Sequence, residues 1–290
     1  MFGALYIDWI WDPVAFTIPG LGLEVRYYGL MWALSIYIAA ISADSYFKRE
    51  KLPMQLSETA FFYGIIGIIV GSRLGHCLFY EPEYFLRNPM QIIFGMRDGG
   101  MASHGAAMGM IVGLWLFSRR SKLPLIWSMD RVVMPLTISA AIVRMGNLFN
   151  SEIFGMATDR AWGFRFLRSG TWLREVAPMA SHPTQIYEAV GYFISFVVVS
   201  VMYYKYDVAR QKPGVLAGVG LMLLGFTRFI VEFWKLNQVA FEQGMSLTMG
   251  QWLSIPFILI GIAFVKFGLD GRFAKPDVKE IEKALKARRK

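Results

Sequence analysis

Charged residues, histidines and cysteines are all scarce in this 290-residue sequence. Only 18% of its residues are charged, whereas soluble domains carry about a quarter. The single cysteine, Cys77, excludes an internal disulfide and a multi-cysteine metal site. Because Cys77 lies within an apolar run, we interpret it as a buried structural thiol rather than a catalytic nucleophile.

The amino-terminal region also lacks positive charge. No lysine or arginine occurs in the first 25 residues, so the basic region of a secretory signal peptide is missing. Prolines and glycines interrupt the apolar stretch 10–23. A cleaved signal peptide is therefore not expected here.

Long apolar runs dominate what remains, since 55% of the residues are hydrophobic. Several runs reach the roughly 18 nearly uncharged residues that indicate a membrane helix. The sequence predicts an all-α, polytopic membrane protein whose domain covers residues 1–270, with a small extracytoplasmic cap at 148–183 and a basic tail at 271–290. Seven spans are predicted, of which the third is short: 24–43, 58–80, 101–118, 127–147, 184–204, 214–234 and 248–268.

The distribution of positive charge predicts the orientation of these spans. Under the positive-inside rule, one face holds 18 lysines and arginines in its loops and the tail, against 7 on the other face. The amino terminus is thus expected outside the cell and the carboxyl terminus in the cytoplasm. The net charge is +9, and nine of the thirty lysines and arginines lie between Lys266 and Lys290, which favours contact with anionic membrane lipids rather than with nucleic acid.

Glycines recur every four residues in the second and third predicted spans. Small residues at this spacing allow two membrane helices to approach backbone to backbone, so we interpret them as packing residues. They are Gly67, Gly71, Gly75, Gly105, Gly109 and Gly113.

Ionisable residues within membrane segments are unfavourable in free energy and usually face one another or a cavity. Arg144 and Asn147 lie on one face of the fourth span, and the helix is expected to unwind between Asn150 and Glu152. In the sixth span, Arg228 and Glu232 stand four residues apart and can pair.

Several of these groups are expected near the extracytoplasmic ends of their helices. Arg144 and Arg228 at the depth of lipid headgroups suit a phosphate, because a guanidinium offers a planar two-pronged donor. A structural pairing of Arg144 with Glu152 or Glu232 is the alternative. His104 opens the third span, where the helix dipole favours a neutral ring that can accept a proton. His182, before Pro183 at a helix entry, is interpreted as structural.

Eight sequence blocks stand out along the chain. They are YYGLMW (27–32), GSRLGHCLFY (71–80), RDGGMASHG (97–105), HGAAMG (104–109), RMGNLFNSEIFG (144–155), HPTQIYE (182–188), GFTRFIVEF (225–233) and TMGQWLSIP (248–256). Together they resemble the signature blocks of the bacterial prolipoprotein diacylglyceryl transferases, and the resemblance spans almost the whole chain. Two departures are "HGA" where the family commonly has "HGG", and Leu224 where it often has tyrosine.

The resemblance implies an enzyme of the bacterial inner membrane that acts in lipoprotein biosynthesis. It would transfer the diacylglyceryl group of phosphatidylglycerol to the lipobox cysteine of a prolipoprotein, with no metal or organic cofactor. His104, Arg144 and Arg228 are the expected catalytic residues. The expected substrate-binding residues are Tyr28, Arg73, Arg144, Asn147, Asn150, Glu152, Gly155 and Glu232.

The residues alone are also compatible with two other classes of protein. An anion or lipid transporter could also hold arginines inside the membrane, although the sequence has no convincing internal repeat of the kind transporters often show. A membrane scaffold would not need so many polar groups at one depth.

Overall fold

Helices make up 68% of the structure. The computed structural model describes residues 6–95, 102–236, 245–281 and 283. The helices are α1 (Tyr27–Arg49), α2 (Gln55–Phe79), α3 (Pro82–Arg87), α4 (Gln91–Phe94), α5 (Ser103–Ser121), α6 (Leu125–Phe149), α7 (Gly170–Glu175), α8 (Thr184–Tyr204), α9 (Val208–Gln211), α10 (Val215–Val231) and α11 (Met249–Leu269). The strands are β1 (Ile7–Trp9), β2 (Val14–Ile18), β3 (Leu23–Arg26), β4 (Ala157–Thr158), β5 (Phe164–Phe166) and β6 (Ala180–Ser181).

Each of the seven predicted spans coincides with a helix. Within the described residues, six helices are long and apolar enough to cross a membrane, which confirms the prediction of a polytopic helical protein. The remaining one, α5, is the span that the sequence predicted to be short. The first span begins later than expected, because residues 23–26 form the extended strand β3 before α1 starts at Tyr27.

The chain divides into two compact units. One unit comprises Met1–Ala39 and Val132–Phe273, and the other comprises Ala40–Arg131 and Ala274–Lys290. We call them the first and second unit. Helices α1 and α6 each contribute residues to both.

Glycine packing between α2 and α5 organises the second unit. A Cβ atom placed on Gly71 would lie 2.7 Å from Cα of Gly109, and one on Gly75 would lie 2.8 Å from Cα of Gly105. The absence of side chains at these positions therefore lets the two backbones touch, as the four-residue spacing predicted.

The tail of the chain contributes to the core of the same unit. Ile281 is fully buried in a cluster of large apolar side chains. The other buried members are Phe47, Leu52, Leu56, Phe117, Leu123 and Trp127. The described part of the tail is therefore anchored by an apolar contact in addition to carrying charge.

Small residues also set the packing in the first unit. A Cβ atom on Gly218 of α10 would lie 2.6 Å from the carbonyl oxygen of Gly261 on α11, and the reverse contact is equally close. Helix α11 starts with a capping box in which Thr248 and Gln251 satisfy each other's backbone groups.

A small sheet forms in the segment that the sequence predicted to be a cap. Its strand order is β1-β5-β6-β4, with β1 and β5 parallel and the other neighbours antiparallel. The sequence did not predict that residues 7–9 would join this segment as β1. Asp8 and Arg165, opposite each other in the register, form an exposed two-pronged ion pair of 2.6 and 2.8 Å.

The glycine contact predicts the effect of adding one methyl group. Gly71→Ala should lower stability by about 1–3 kcal/mol, since overpacking forces backbones apart. Gly64→Ala on the same helix is the control, because a Cβ atom added there would have no atom of the described residues within 4 Å. It should leave stability unchanged or raise it by up to about 1 kcal/mol. Unfolding temperatures in one detergent compare the two variants, and equal values would contradict the close contact between α2 and α5.

Candidate active site

The predicted site residues divide between the two units. Eight of them belong to the first unit, whereas Arg73 and His104 belong to the second. The eight are Tyr28, Arg144, Asn147, Asn150, Glu152, Gly155, Arg228 and Glu232.

The polar block that follows α6 folds back on itself. The helix ends at Phe149, as the sequence predicted, and Ser151 and Ile153 adopt left-handed backbone angles of +54° and +60°. The turn brings the Glu152 carboxylate within hydrogen-bonding distance of two side-chain amides. Its Oε1 atom accepts hydrogen bonds from Asn147 (2.7 Å) and Asn150 (3.2 Å).

Arg144 is held by two groups of the same unit. Its Nε lies 2.7 Å from Oε2 of Glu188, and its Nη1 donates to Oδ1 of Asn147 at 3.2 Å. The Glu188 side chain is fully buried, and the Arg144 side chain is 18% exposed. The ion-pair partner of Arg144 is therefore Glu188, on α8, rather than either glutamate considered from the sequence.

Glu188 also binds a second cation. Its Oε1 lies 2.9 Å from Nζ of Lys235, and the same Nζ lies 3.2 Å from Oε2 of Glu232. Arg144, Glu188, Lys235 and Glu232 therefore form a chain of alternating charge, which we call the ionic chain. All its members except Arg144 are buried.

The predicted pairing of Arg228 with Glu232 is wrong in the structure. Helix α10 ends at Val231, and residues 232–234 tighten into a 3-10 turn. This turn carries the Glu232 carboxylate to Lys235, three residues further on. The four-residue spacing allows a pair only where a regular α-helix continues.

Arg228 consequently keeps its charge uncompensated. Within the described part of the chain it forms no ion pair, and its Nε is buried without a hydrogen-bond partner. An unpaired buried donor is costly. Arg228 is therefore the group in this site best suited to receive an anion.

Neither Glu188 nor Lys235 was predicted as a site residue. A glutamate inside an apolar span itself indicates a polar site, because such a group is seldom buried without a partner. Glu188 ends the motif HPTQIYE, of which only the histidine was weighed individually from the sequence. Lys235 was counted only as a loop charge.

Two glycines allow other elements to approach the ionic chain. A Cβ atom on Gly250, in the first turn of α11, would overlap the carboxylate of Glu232. One on Gly155 would lie 2.8 Å from Cβ of His182, and Gly155 also forms an isolated β-bridge with Lys235. The structure thus gives Gly155, a predicted substrate-binding residue, a packing role.

Tyr28 lies beside the Arg144 helix. A Cβ atom on Gly146 would lie 2.9 Å from Cδ2 of its ring, so the ring packs directly on α6. Gly146 lies between Arg144 and Asn147 in the chain. Tyr28 therefore lies next to the polar end of α6. Its contact with a substrate stays a prediction.

Arg73, in the second unit, contacts backbone carbonyl groups and an aromatic ring of the protein. Its side chain donates to the carbonyl oxygens of Gln91 (2.6 Å) and Ile92 (2.8 Å), and it lies over the ring of Phe85. Arg73 is buried and holds α4 by its backbone. These contacts indicate a positioning role rather than direct contact with a substrate.

His104 lies at the start of a helix, as predicted. It is the second residue of α5, and its side chain is exposed. His182, by contrast, is part of a polar and aromatic cluster. Its Nδ1 lies 3.0 Å from the hydroxyl of Tyr187, which accepts a hydrogen bond from Trp162 at 2.9 Å.

The surroundings of His182 favour its neutral form. Burial lowers the pKa of its ring from the ordinary value, and the charge of Arg160 lowers it further, while Asp159 opposes this effect. These contacts agree with the structural role that the sequence predicted for His182.

Comparison with known proteins identifies the family. A family profile described as prolipoprotein diacylglyceryl transferase matches residues 13–267. A phosphatidylglycerol–prolipoprotein diacylglyceryl transferase of Porphyromonas gingivalis is 44% identical over 266 residues, which cover 89% of this chain and 93% of that protein.

Relatives of the same name occur in two further bacteria. The Bacteroides fragilis protein is 40% identical over 274 residues, covering 91% of this chain and 95% of its own length. The Chloroherpeton thalassium protein is 38% identical over 261 residues, covering 90% and 93%. The chain is therefore a multi-pass membrane transferase that belongs to the prolipoprotein diacylglyceryl transferase family.

Proposed function

We propose that the protein transfers the diacylglyceryl group of phosphatidylglycerol to the lipobox cysteine of a prolipoprotein. The names of its relatives support both substrates. In this reaction the cysteine sulfur attacks the glyceryl carbon that carries the phosphate. A carbon–sulfur bond forms, the carbon–oxygen bond breaks, and glycerol phosphate leaves with the bonding electrons. The thiol proton passes to a base.

The observation that carries the proposal is the uncompensated charge of Arg228 beside the ionic chain. Arg144 lies near the end of α6, Glu188 near the start of α8 and Arg228 near the end of α10. The Arg144–Glu188 ion pair and the contacts of Lys235 with Glu188 and Glu232 bring these three helix ends together within the first unit. A phosphodiester at this place would supply the anion that Arg228 lacks.

The two arginines then have different roles. Both arginines suit a phosphate by their chemistry, yet Glu188 and Asn147 already bind two of the three nitrogens of the Arg144 guanidinium. We propose that Arg228 makes the first contact with the phosphate. Arg144 completes the site with its remaining donors and stabilises the departing phosphate, where fixed charges act best without water.

The other predicted residues support this chemistry. Asn147, Asn150 and Glu152 form one hydrogen-bonded group, and we propose that it orients Arg144 and the donor headgroup. His104 is proposed as the acceptor of the thiol proton, because its ring is exposed at the start of a helix.

The proposed setting is the bacterial inner membrane, with the amino terminus outside and the carboxyl terminus in the cytoplasm. The charge bias of the loops supports this orientation. It would place the end of α6, and with it the ionic chain, at the extracytoplasmic membrane surface, where an anionic lipid headgroup is available.

Reconstitution tests the proposed reaction directly. Purified protein in phosphatidylglycerol vesicles should convert a lipobox peptide to a product heavier by one diacylglyceryl group, measured by mass spectrometry. A peptide with serine in place of the cysteine is the matched control and should stay unmodified. Movement of lipid between leaflets without peptide modification would support the transporter alternative and contradict the transferase proposal.

Arg228→Gln should impair transfer because it removes the unpaired cation while keeping a similar side-chain length. Hydrogen bonds to charged groups contribute roughly 1.5–3 kcal/mol, so kcat/KM for the lipid should fall about tenfold to a hundredfold. Arg210→Gln, at an exposed arginine of the same unit, is the control and should retain activity. Equal activities of the two variants would refute the phosphate contact.

His104→Gln should slow transfer by roughly 10²- to 10⁴-fold, the range expected when a general base is lost. The exposed position of His104 predicts an unchanged unfolding temperature. The measurement is the transfer rate between about pH 6 and 9 beside thermal unfolding. Rates close to those of the wild type throughout that range would leave thiol activation to other groups.

A further inference from the structure

A buried tyrosine lies against the ionic chain. Tyr192 stands one helical turn beyond Glu188 on α8, and only 6% of its surface is exposed. Its hydroxyl lies 3.4 Å from Oε1 of Glu188, the carboxylate whose Oε2 pairs with Arg144. A buried phenol usually needs a partner for its hydroxyl, and here the partner is the carboxylate of the ionic chain.

The chemistry of the two groups fixes the direction of this hydrogen bond. The carboxylate of Glu188 accepts only, so the phenol of Tyr192 donates its proton to Oε1. The same oxygen binds Lys235, while Oε2 pairs with Arg144. Tyr192 thus helps to hold the carboxylate that pairs with Arg144.

These contacts restrict how the Arg144 guanidinium can turn. Glu188 holds Nε and Asn147 holds Nη1, and the Tyr192 hydroxyl in turn holds the Glu188 carboxylate. Because the guanidinium is planar, partners on more than one of its nitrogens define the orientation of the whole group. Its remaining donors then point in a fixed direction.

The second arginine of the site is not held in this way. Within the described residues Arg228 forms no ion pair, and its Nε is buried without a hydrogen-bond partner. The end of its helix joins the ionic chain through Glu232, which binds Lys235. One arginine is therefore held in orientation while the other stays available to an anion.

We propose that Tyr192 is a positioning residue for the lipid donor. Through the carboxylate of Glu188, its hydroxyl holds the Arg144 guanidinium in the orientation in which Arg144 and Arg228 bind one phosphodiester together. This inference rests on the proposed function, since the phosphodiester is that of the donor phospholipid. The hydroxyl itself does not contact the reacting atoms.

The long distance to Glu188 predicts a moderate effect. At 3.4 Å the contact is a weak hydrogen bond, whereas the ion pair between Arg144 and Glu188 is 2.7 Å long. Removing the hydroxyl should therefore leave Arg144 paired but less well oriented. The defect should appear in the KM for the lipid rather than in the stability of the fold.

The experiment uses Tyr192→Phe, which keeps the ring and removes only the hydroxyl. The KM for phosphatidylglycerol should rise about threefold to tenfold, less than for the loss of a direct phosphate contact because the hydroxyl acts through Glu188, and the unfolding temperature should not change. Tyr187→Phe is the matched control on the same helix. Its hydroxyl bonds with His182 and Trp162, so its loss should lower the unfolding temperature without raising KM.

A double-variant cycle separates positioning from packing. In an Arg144→Lys background the planar group is gone, so Tyr192→Phe should have little further effect on KM. An unchanged KM in the single variant would overturn the proposal. So would the same loss in both backgrounds, or a fall in stability with a normal KM.

Lipid binding distinguishes a failure of this inference from a failure of the proposed function. Wild-type protein that makes no lipidated peptide would contradict the transferase function. Stabilisation by short-chain phosphatidylglycerol, measured as a shift in unfolding temperature, still tests the inference in that case. A weaker shift for Tyr192→Phe would support it, and equal shifts would overturn it.

Discussion

The carboxylate of Glu188 is the group on which the polar site of the first unit depends. It is fully buried, and an isolated buried carboxylate would be strongly unfavourable. Arg144 and Lys235 bind its two oxygens and so make its burial possible. Removing either cation would leave a buried negative charge without full compensation, which typically costs about 3–5 kcal/mol.

The same carboxylate joins elements that are far apart in the chain. Arg144 comes from α6, Glu188 from α8, and Lys235 from the turn after α10. In an apolar environment, where helices gain little from hydrophobic burial against one another, such polar contacts define how helix ends meet. The ionic chain thus fixes the geometry of the site as well as its charge.

The loop that precedes the small sheet is connected to this arrangement through backbone contacts. Gly155 pairs with Lys235 in an isolated bridge, and its N–H donates to the carbonyl oxygen of His182. The loop that carries Glu152 is therefore paired with the segment that holds Lys235. A change in the position of this loop would reach the ionic chain by this route.

Much of the fold follows from local patterns in the sequence. The apolar runs predicted the position of every membrane helix among the described residues, because a helix is the way for a single apolar segment to satisfy its backbone in lipid. The glycine spacing also predicted the contact between α2 and α5, since it depends on one face of each helix. The small sheet was harder to predict, because β1 pairs with β5 more than 150 residues away.

The candidate site was only partly predictable, because it too depends on contacts between distant parts of the chain. The sequence by itself determined the family, through motifs that cover most of the chain, and identified Arg144, Asn147, Glu152 and Arg228 as polar groups in an apolar setting. It did not determine which charges pair, because partners in different helices have no fixed sequence spacing. Only the tertiary structure decided that Arg144 pairs with Glu188 and that Glu232 turns to Lys235. These pairings leave Arg228 as the uncompensated cation of the described site, because the end of α10 tightens and carries the nearest carboxylate to Lys235.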